Sequence, residues 1–221
     1  MKKGNTMKFN IGSWITIGNV SIAEIMAENL ANGNMAVALL GNTIATGAIL
    51  FVIIKMFGSI SGAHFNPAVS FMFFLRKELN WNDYLKFSFF QCTSGLIAVL
   101  LIHYIFEINI FQISTNIRGE LPLLVSEILA TSGLILTILF IRKNDPESIA
   151  LGVALFITAG YWFTSSTSFA NPAVTIARIF TNTFTGIAPI SSLYFLSGQV
   201  IGCLLGFKIF NLFENNQKEK K

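Results

Sequence analysis

The stretch SGAHFNPAV at residues 61–69 decides the fold, and a related stretch, TSFANPAV, stands at residues 167–174. In both, Asn-Pro-Ala-Val follows small and polar residues and precedes an apolar run. Asn is a favoured N-cap, and Pro is favoured at the first helical position, where its missing N–H would be unpaired anyway. Each copy therefore predicts a helix start, one at Pro67 and one at Pro172.

Both of these predicted helices are short. The first covers residues 67–75 and stops at the charged residues 76–78, and the second covers about residues 172–180. About 20 residues are needed to cross a bilayer as a helix, so neither can span it. Half-length helices at matching places in two halves of a membrane chain indicate a site near the midplane of the bilayer.

The composition is that of an integral membrane protein. Of 221 residues, 53% are hydrophobic and 12% are charged, and the mean hydropathy is +0.63. Soluble domains carry about 25% charged residues. The net charge of +4 sits in short basic clusters between apolar runs, which indicates membrane topology and not nucleic-acid binding. Paired carboxylates, a Ser-His-Asp set and metal-ligand spacing are not apparent in the sequence, so we expect neither an enzyme nor a cofactor.

The apolar runs predict an all-α chain with six spans in one domain over residues 1–213, followed by a charged, disordered tail at 214–221. The six predicted spans are residues 7–26, 36–57, 83–106, 122–141, 148–163 and 189–213. The first is weak, because Lys8, Asn10, Asn19 and Glu24 dilute it. The six fall into two repeats, about residues 7–106 and 121–213.

The basic residues predict the orientation. If both termini face the cytoplasm, every Lys and Arg except Arg118 and Arg178 falls on the cytoplasmic side, as the positive-inside rule requires. The first half-helix then enters from the cytoplasm and the second from outside. This makes the two halves inverted repeats.

Paired Asn-Pro-Ala boxes in a membrane chain of this length resemble the aquaporin, or major intrinsic protein, family, over about residues 27–210. Two helix caps in an unrelated transporter are the alternative reading of the boxes. The resemblance implies an aquaporin-like bundle of six transmembrane helices with two re-entrant half-helices, assembled as a homotetramer in the cell membrane. The pore boxes that it implies are Asn66, Pro67, Ala68, Asn171, Pro172 and Ala173. Residues 170–189 resemble a bacterial branch that keeps Val after the second box.

The family builds an outer constriction from four positions, which carry over here by gapless counting to Thr46, Ala159, Ser168 and Val174. Water channels have Arg at the position of Val174, His at that of Ala159 and often an aromatic at that of Thr46. The count to Thr46 and Ala159 is fixed only to within one residue. A ring without charge, imidazole or aromatic group is expected to be wide and partly apolar.

The resemblance and this constriction predict a passive channel for small uncharged solutes larger than water. Glycerol-like polyols, urea and undissociated metalloid hydroxides such as arsenite are the candidates, with water also passing and protons and ions excluded. A water-selective aquaporin is the alternative, and a scaffold membrane protein is a further one. The expected partners are these solutes, water and the lipid bilayer.

Several other polar residues stand near the boxes or inside spans. Arg178, one helical turn beyond Val174, either offers a guanidinium to the outer mouth or extends to the membrane interface. His64 is expected at the inner vestibule. Glu127 resembles the family's buried Glu, which accepts N–H groups from a re-entrant loop, and similar structural roles are expected for Gln91 and Gln199.

Two further patterns concern packing. Glycines at 198, 202 and 206 recur every four residues, which predicts a close approach to another helix. Trp and Tyr residues near span ends are interpreted as interface anchors, and Tyr161 is among them.

Overall fold

The computed structural model describes residues 24–218, and this part of the chain folds into helices joined by turns and loops. We label residues 24–30 α1. The helices that follow are α2 (Met35–Ser61), α3 (Pro67–Leu75), α4 (Trp81–Ile105), α5 (Leu121–Asn144), α6 (Ile149–Phe163), α7 (Pro172–Arg178) and α8 (Pro189–Lys218). A 3₁₀ turn, Pro146–Ser148, leads into α6.

Five of the described helical segments are long and apolar enough to cross a membrane: α2, α4, α5, α6 with its 3₁₀ turn, and α8. They lie at the places where the apolar runs predict spans. The two short helices, α3 and α7, begin at the prolines of the two boxes. The predicted first span, residues 7–26, lies almost wholly outside the described residues.

The glycine stripe of α8 faces α5. A β-carbon added at Gly198, Gly202 or Gly206 would lie 2.7–2.8 Å from a main-chain carbonyl oxygen of α5. Such a distance is shorter than any van der Waals contact, so only glycine permits this separation. The close helix approach predicted from the four-residue spacing is therefore present, and α5 and α8 form the most extensive pair among the described helices.

Each half-helix packs against two long helices, the last one of its own half and the last one of the other half. The helix α3 contacts α4 and also α8, while α7 contacts α8 and also α4. In the same way, α2 of the first half packs along α6 of the second. This exchange of partners is what an inverted repeat produces, and it brings α3 and α7 into contact with one another.

The C-terminal end of α8 differs from the prediction of a disordered tail starting at residue 214. Residues 214–218 continue the helix. The ammonium group of Lys143, at the end of α5, donates to Gln217 Oε1 at 3.0 Å and lies 3.8 Å from Glu214 Oε1. The charged composition that suggested disorder instead supplies polar contacts between two helix ends.

Candidate functional site

The loops before the two half-helices have the same unusual backbone. One residue and three residues before each Asn, φ is positive: 48° at Phe65 and at Ala63, 44° at Ala170 and 50° at Ser168. Left-handed backbone costs roughly 1–2 kcal/mol per residue for residues other than glycine. Loops of this shape persist only if the surroundings hold them.

The two box asparagines supply part of that support, each to the other's loop. Asn66 Nδ2 donates to the Ala170 carbonyl oxygen at 2.7 Å, and Asn171 Nδ2 donates to the Phe65 carbonyl oxygen at 3.0 Å. Each Oδ1 accepts the N–H two residues further on, at 2.8 Å and 3.0 Å, and so caps its own half-helix. The tips of the two half-helices are thus joined by reciprocal hydrogen bonds.

A second layer of hydrogen bonds repeats in both halves. Ser70 and Thr175 stand four residues after their box asparagines and donate to the asparagine carbonyl oxygens at 3.2 Å and 3.1 Å. Gln91 Nε2 donates to Ser70 Oγ at 3.1 Å, and Gln199 Nε2 donates to Thr175 Oγ1 at 2.8 Å. Both glutamines are fully buried, so each ties a long helix to the half-helix beside it.

Glu127 of α5 holds the second loop. Its side chain is fully buried, and its oxygens accept the N–H groups of Phe169 at 3.0 Å and Ala170 at 2.8 Å. Gln199 Nε2 donates to the same carboxylate at 2.6 Å. Hydrogen bonds to an ionised acceptor are stronger than neutral ones, so the two N–H contacts stabilise the strained loop, and Gln199 fixes the carboxylate from α8.

A cavity of about 650 Å³ runs past the joined loops. At one end its wall includes Lys55, Glu78, Arg142 and Glu147, and we call this end the Glu78 mouth. Asn66 and Asn171 line its middle, and the wall extends to Val174 and Arg178 at the other end, which we call the Val174 end.

Three of the four predicted constriction residues, Thr46, Ser168 and Val174, line this cavity, but Ala159 does not. Ala159 is exposed on α6, whereas Tyr161, two positions along, is 6% exposed and lines the wall. Two residues correspond to about 200° of helix rotation, so the two side chains point in nearly opposite directions. The placement of Ala159 in the lining is therefore wrong, and Tyr161 adds an aromatic ring to the wall beside Thr46.

The error in placing Ala159 came from counting back from Asn171 through a loop of assumed length. The helix α6 ends at Phe163, and the residues up to the box follow an irregular path whose length the count could not test. Tyr161 also differs from its interpretation as an interface anchor, since its hydroxyl lies 3.4 Å from Thr46 Oγ1 of α2. Polar groups at Thr46 and Tyr161 in two facing apolar helices were the available signal.

Arg178 is 3% exposed and lines the cavity, so its side chain does not extend to the membrane interface. Its Nη2 lies 3.3 Å from Glu24 Oε2, and its Cζ lies 4.3 Å from the centre of the Phe169 ring. Glu24 is fully buried. From the sequence, Glu24 was expected only to weaken the first span, and no local pattern indicates this ion pair.

His64 lies towards the Glu78 mouth of the cavity. Its Nδ1 is 3.1 Å from Ser70 Oγ, and its ring stacks on Phe73 with the centroids 4.3 Å apart. The guanidinium of Arg142 covers Phe73, with Cζ 5.0 Å from the ring centre. The imidazole is therefore part of an ordered stack at the vestibule.

The carboxylate of Glu78 joins two arginines at this mouth. It lies 2.6 Å from Arg76 Nε and 2.8 Å from Arg142 Nη2. Partial burial raises the pKa of Glu78, but the hydrogen bonds and charges of Arg142 and Arg76 together outweigh it, so the pKa lies below its ordinary value of 4.5. The Glu78 carboxylate therefore links the end of α3 to the end of α5.

Comparison with known proteins agrees with this geometry. Residues 10–148 match the family model described as Major intrinsic protein. The chain is 43% identical over 196 residues to a protein named aquaglyceroporin AqpS from Rhizobium meliloti (strain 1021), an alignment covering 89% of this chain and 82% of that protein. It is also 28% identical over 192 residues to aquaporin NIP2-1 of Oryza sativa subsp. japonica, covering 83% of this chain and 63% of that longer protein.

The fold is also that of a solved structure. The X-ray structure of the aquaglyceroporin from Plasmodium falciparum superposes with a TM-score of 0.63, covering 94% of this chain and 95% of that one at 21% identity. At this identity the likeness concerns the fold alone. Taken together with the family match and the joined half-helices, these similarities show that the chain belongs to the major intrinsic protein family of membrane channels.

Proposed function

We propose that this chain is a passive channel for small uncharged solutes larger than water. Glycerol-like polyols, urea and undissociated metalloid hydroxides such as arsenite are the solutes, and water also passes. The observation that carries the proposal is the neutral wall of the cavity at Thr46, Ser168 and Val174. Pore diameter, lining hydrogen-bond groups and electrostatic barriers set selectivity in such channels. Similarity to a protein named aquaglyceroporin supports the same class of solute.

The two box asparagines supply the barrier to protons and cations. Each Nδ2 carries two donors and uses one for the opposite loop, which leaves one donor for the lumen. A water or hydroxyl oxygen that accepts from Asn66 and Asn171 is oriented by them and cannot relay a proton along a continuous chain. The N-terminal ends of two half-helices meet here, and their partial positive charge repels cations.

A water-selective aquaporin is the second candidate, and a specific observation favours it. Tyr161 lines the cavity and adds an aromatic ring that was not expected there from the sequence. Arg178 lines the same end. Both side chains occupy volume along the cavity, so the choice between the two candidates depends on the room that they leave.

Stopped-flow light scattering on proteoliposomes decides between them. With glycerol, urea or arsenite outside, we expect fast shrinkage as water leaves, followed by protein-dependent reswelling as the solute enters. Protein-free vesicles of the same lipid are the control. Fast water flux without entry of any of the three solutes would establish the water-selective alternative.

We further propose that the chain is a homotetramer in the cell membrane with both termini in the cytoplasm. Lys55 and Arg142 lie together at the Glu78 mouth, and this clustering supports a cytoplasmic position for that end. Labelling of single cysteines tests the orientation: Asn144→Cys should react only from the cytoplasmic side, and Asn109→Cys, also at an exposed position, only from outside. The mass of the detergent-solubilised protein tests the tetramer.

A further inference from the structure

Arg178 brings a positive charge to the wall of the cavity that neutral solutes would pass. Its side chain is 3% exposed and lines the cavity one helical turn beyond Val174. A guanidinium stays protonated in proteins, and a buried charge without a partner is costly. The groups that hold this guanidinium therefore decide whether it lies along the wall or across the lumen.

Glu24 is the anionic partner of Arg178 among the described residues. Its Oε2 lies 3.3 Å from Arg178 Nη2, and its Oε1 accepts the hydroxyl of Thr183 at 2.6 Å. Glu24 is fully buried and is not among the described residues that line the cavity. The ion pair therefore directs the guanidinium out of the lumen, towards α1.

A second guanidinium, that of Arg118, lies close enough to Arg178 for their charges to interact. Arg118 Cζ lies 5.0 Å from the centre of the Phe169 ring, and Arg178 Cζ lies 4.3 Å from the centre of the same ring. Arg118 is fixed by donation to the Ser166 carbonyl oxygen at 3.2 Å. Burial, and to a smaller extent the charge of Arg178, lower the pKa of Arg118 to about 10. The two like charges repel, and Glu24 offsets that repulsion.

We propose that Glu24 is a positioning residue that holds the Arg178 guanidinium against the wall and so keeps the lumen beside Val174 open to neutral solutes. Without the carboxylate, repulsion from Arg118 and the loss of the ion pair release the guanidinium into the lumen. It then narrows the passage and attracts anions. This inference rests on the proposed function, since it assumes that solutes pass Val174.

The test compares Glu24→Gln, Glu24→Asp and the double variant Glu24→Gln/Arg178→Met with the wild type in proteoliposomes. Glycerol-to-water flux ratio and chloride leak are measured together. We expect Glu24→Gln to lower the ratio about tenfold, which corresponds to ~1.4 kcal/mol of added barrier, and to admit chloride. Glu24→Asp keeps the charge and should retain most of the ratio. The double variant should return the glycerol-to-water ratio to the wild-type value and should show no chloride leak.

Glu28→Gln is the matched control. Glu28 lies one turn further along α1 and accepts the N–H of Phe184 at 3.4 Å, so it contacts the same loop without pairing with Arg178. It should leave both readouts unchanged. A Glu24→Gln protein with the wild-type ratio and no chloride leak would overturn the inference.

The experiment also tests the inference if the Glu24→Gln protein fails to fold. If Glu24→Gln does not reach the membrane, the double variant decides. Recovery of membrane-inserted protein in the double variant supports the inference, because the unpaired guanidinium of Arg178 is then the cause of the loss. Failure to recover membrane-inserted protein overturns the inference. A wild type that passes no solute contradicts the proposed function alone. In that case water flux and chloride leak still report on the position of Arg178.

Discussion

Tyr161 of α6 and Thr46 of α2 meet through their hydroxyl oxygens, 3.4 Å apart, in the wall of the cavity. Both side chains are buried and both line the passage. The pair joins the two long helices that pack across the repeats, so it couples the width of the passage to the contact between the halves. A change at either residue is expected to alter selectivity before it alters the fold.

Tyr161→Leu is expected to widen the passage, because it removes a ring and a hydroxyl while keeping an apolar side chain in the core. The glycerol-to-water flux ratio should rise about 3-fold to 10-fold, the effect of lowering a barrier by ~0.7–1.4 kcal/mol. Stopped-flow light scattering measures both fluxes. Ala159→Leu on the exposed side of the same helix should leave the ratio unchanged. An effect of the Ala159 variant equal to that of Tyr161→Leu would show that our wall assignment is wrong.

Val174→Arg is expected to reduce solute flux more than water flux, because it adds a long charged side chain beside Arg178 at the lining. A fall of about tenfold in the solute-to-water ratio corresponds to ~1.4 kcal/mol of added barrier. Val174→Met adds length without charge, so it separates the effect of side-chain size from the effect of charge. An unchanged solute-to-water ratio in Val174→Arg would show that Val174 does not line the passage.

Glu127→Gln is expected to destabilise the protein, because three donors converge on this buried carboxylate. Hydrogen bonds to charged groups contribute roughly 1.5–3 kcal/mol each, and the amide group of Gln would turn a donor towards N–H groups. We expect a loss of about 3 kcal/mol or more in the free energy of unfolding. Thermal unfolding in detergent measures it. Glu120→Gln is the control, since Glu120 is exposed and its side chain makes no cap hydrogen bond to α5.

Glu78 predicts a loss of stability in acid. Its folded-state pKa is lowered, so the stability that it contributes is complete above the ordinary pKa of 4.5 and disappears as the pH falls below that value through the folded-state pKa. The melting temperature of the wild type should therefore fall more steeply below pH 4.5 than that of Glu78→Gln. Parallel curves for the two proteins in that range would contradict the role of the Arg76–Glu78–Arg142 cluster.

Gly202→Ala is expected to separate α5 from α8, because the added β-carbon would lie 2.7 Å from the Ile128 carbonyl oxygen. Overpacking of this kind costs about 1–3 kcal/mol. Gly58→Ala is the matched control on a long helix, since a β-carbon there meets no atom within 4 Å. Equal melting temperatures for the two variants would refute the close packing that the glycine stripe provides.

The parts of the site that could be predicted from sequence are those fixed by local chemistry. Asn is a favoured N-cap and Pro is favoured at the first helical position, so the starts of α3 and α7 could be predicted at Pro67 and Pro172. The four-residue spacing of glycines likewise predicts a close helix contact without knowledge of the partner. These patterns, with the apolar runs, are sufficient for the order of the helices.

The parts that could not be predicted depend on distance along the chain or on helix rotation. Tyr161 and Ala159 differ by two positions on α6, and only the rotation of that helix decides which of them lines the cavity. Glu24 and Arg178 are 154 residues apart, so no local pattern connects them. The helical end of α8 depends on contacts with Lys143 of α5, which a charged composition does not reveal.

The exchanged hydrogen bonds at Phe65 and Ala170 have a consequence for biogenesis. The first half of the chain leaves the ribosome before Asn171 exists, so the donor to the Phe65 carbonyl oxygen arrives only with the second half. Until then the left-handed backbone of the first loop lacks one of its supports. Closure of the pore is therefore a late, joint event, and neither half alone forms a sealed passage through the bilayer.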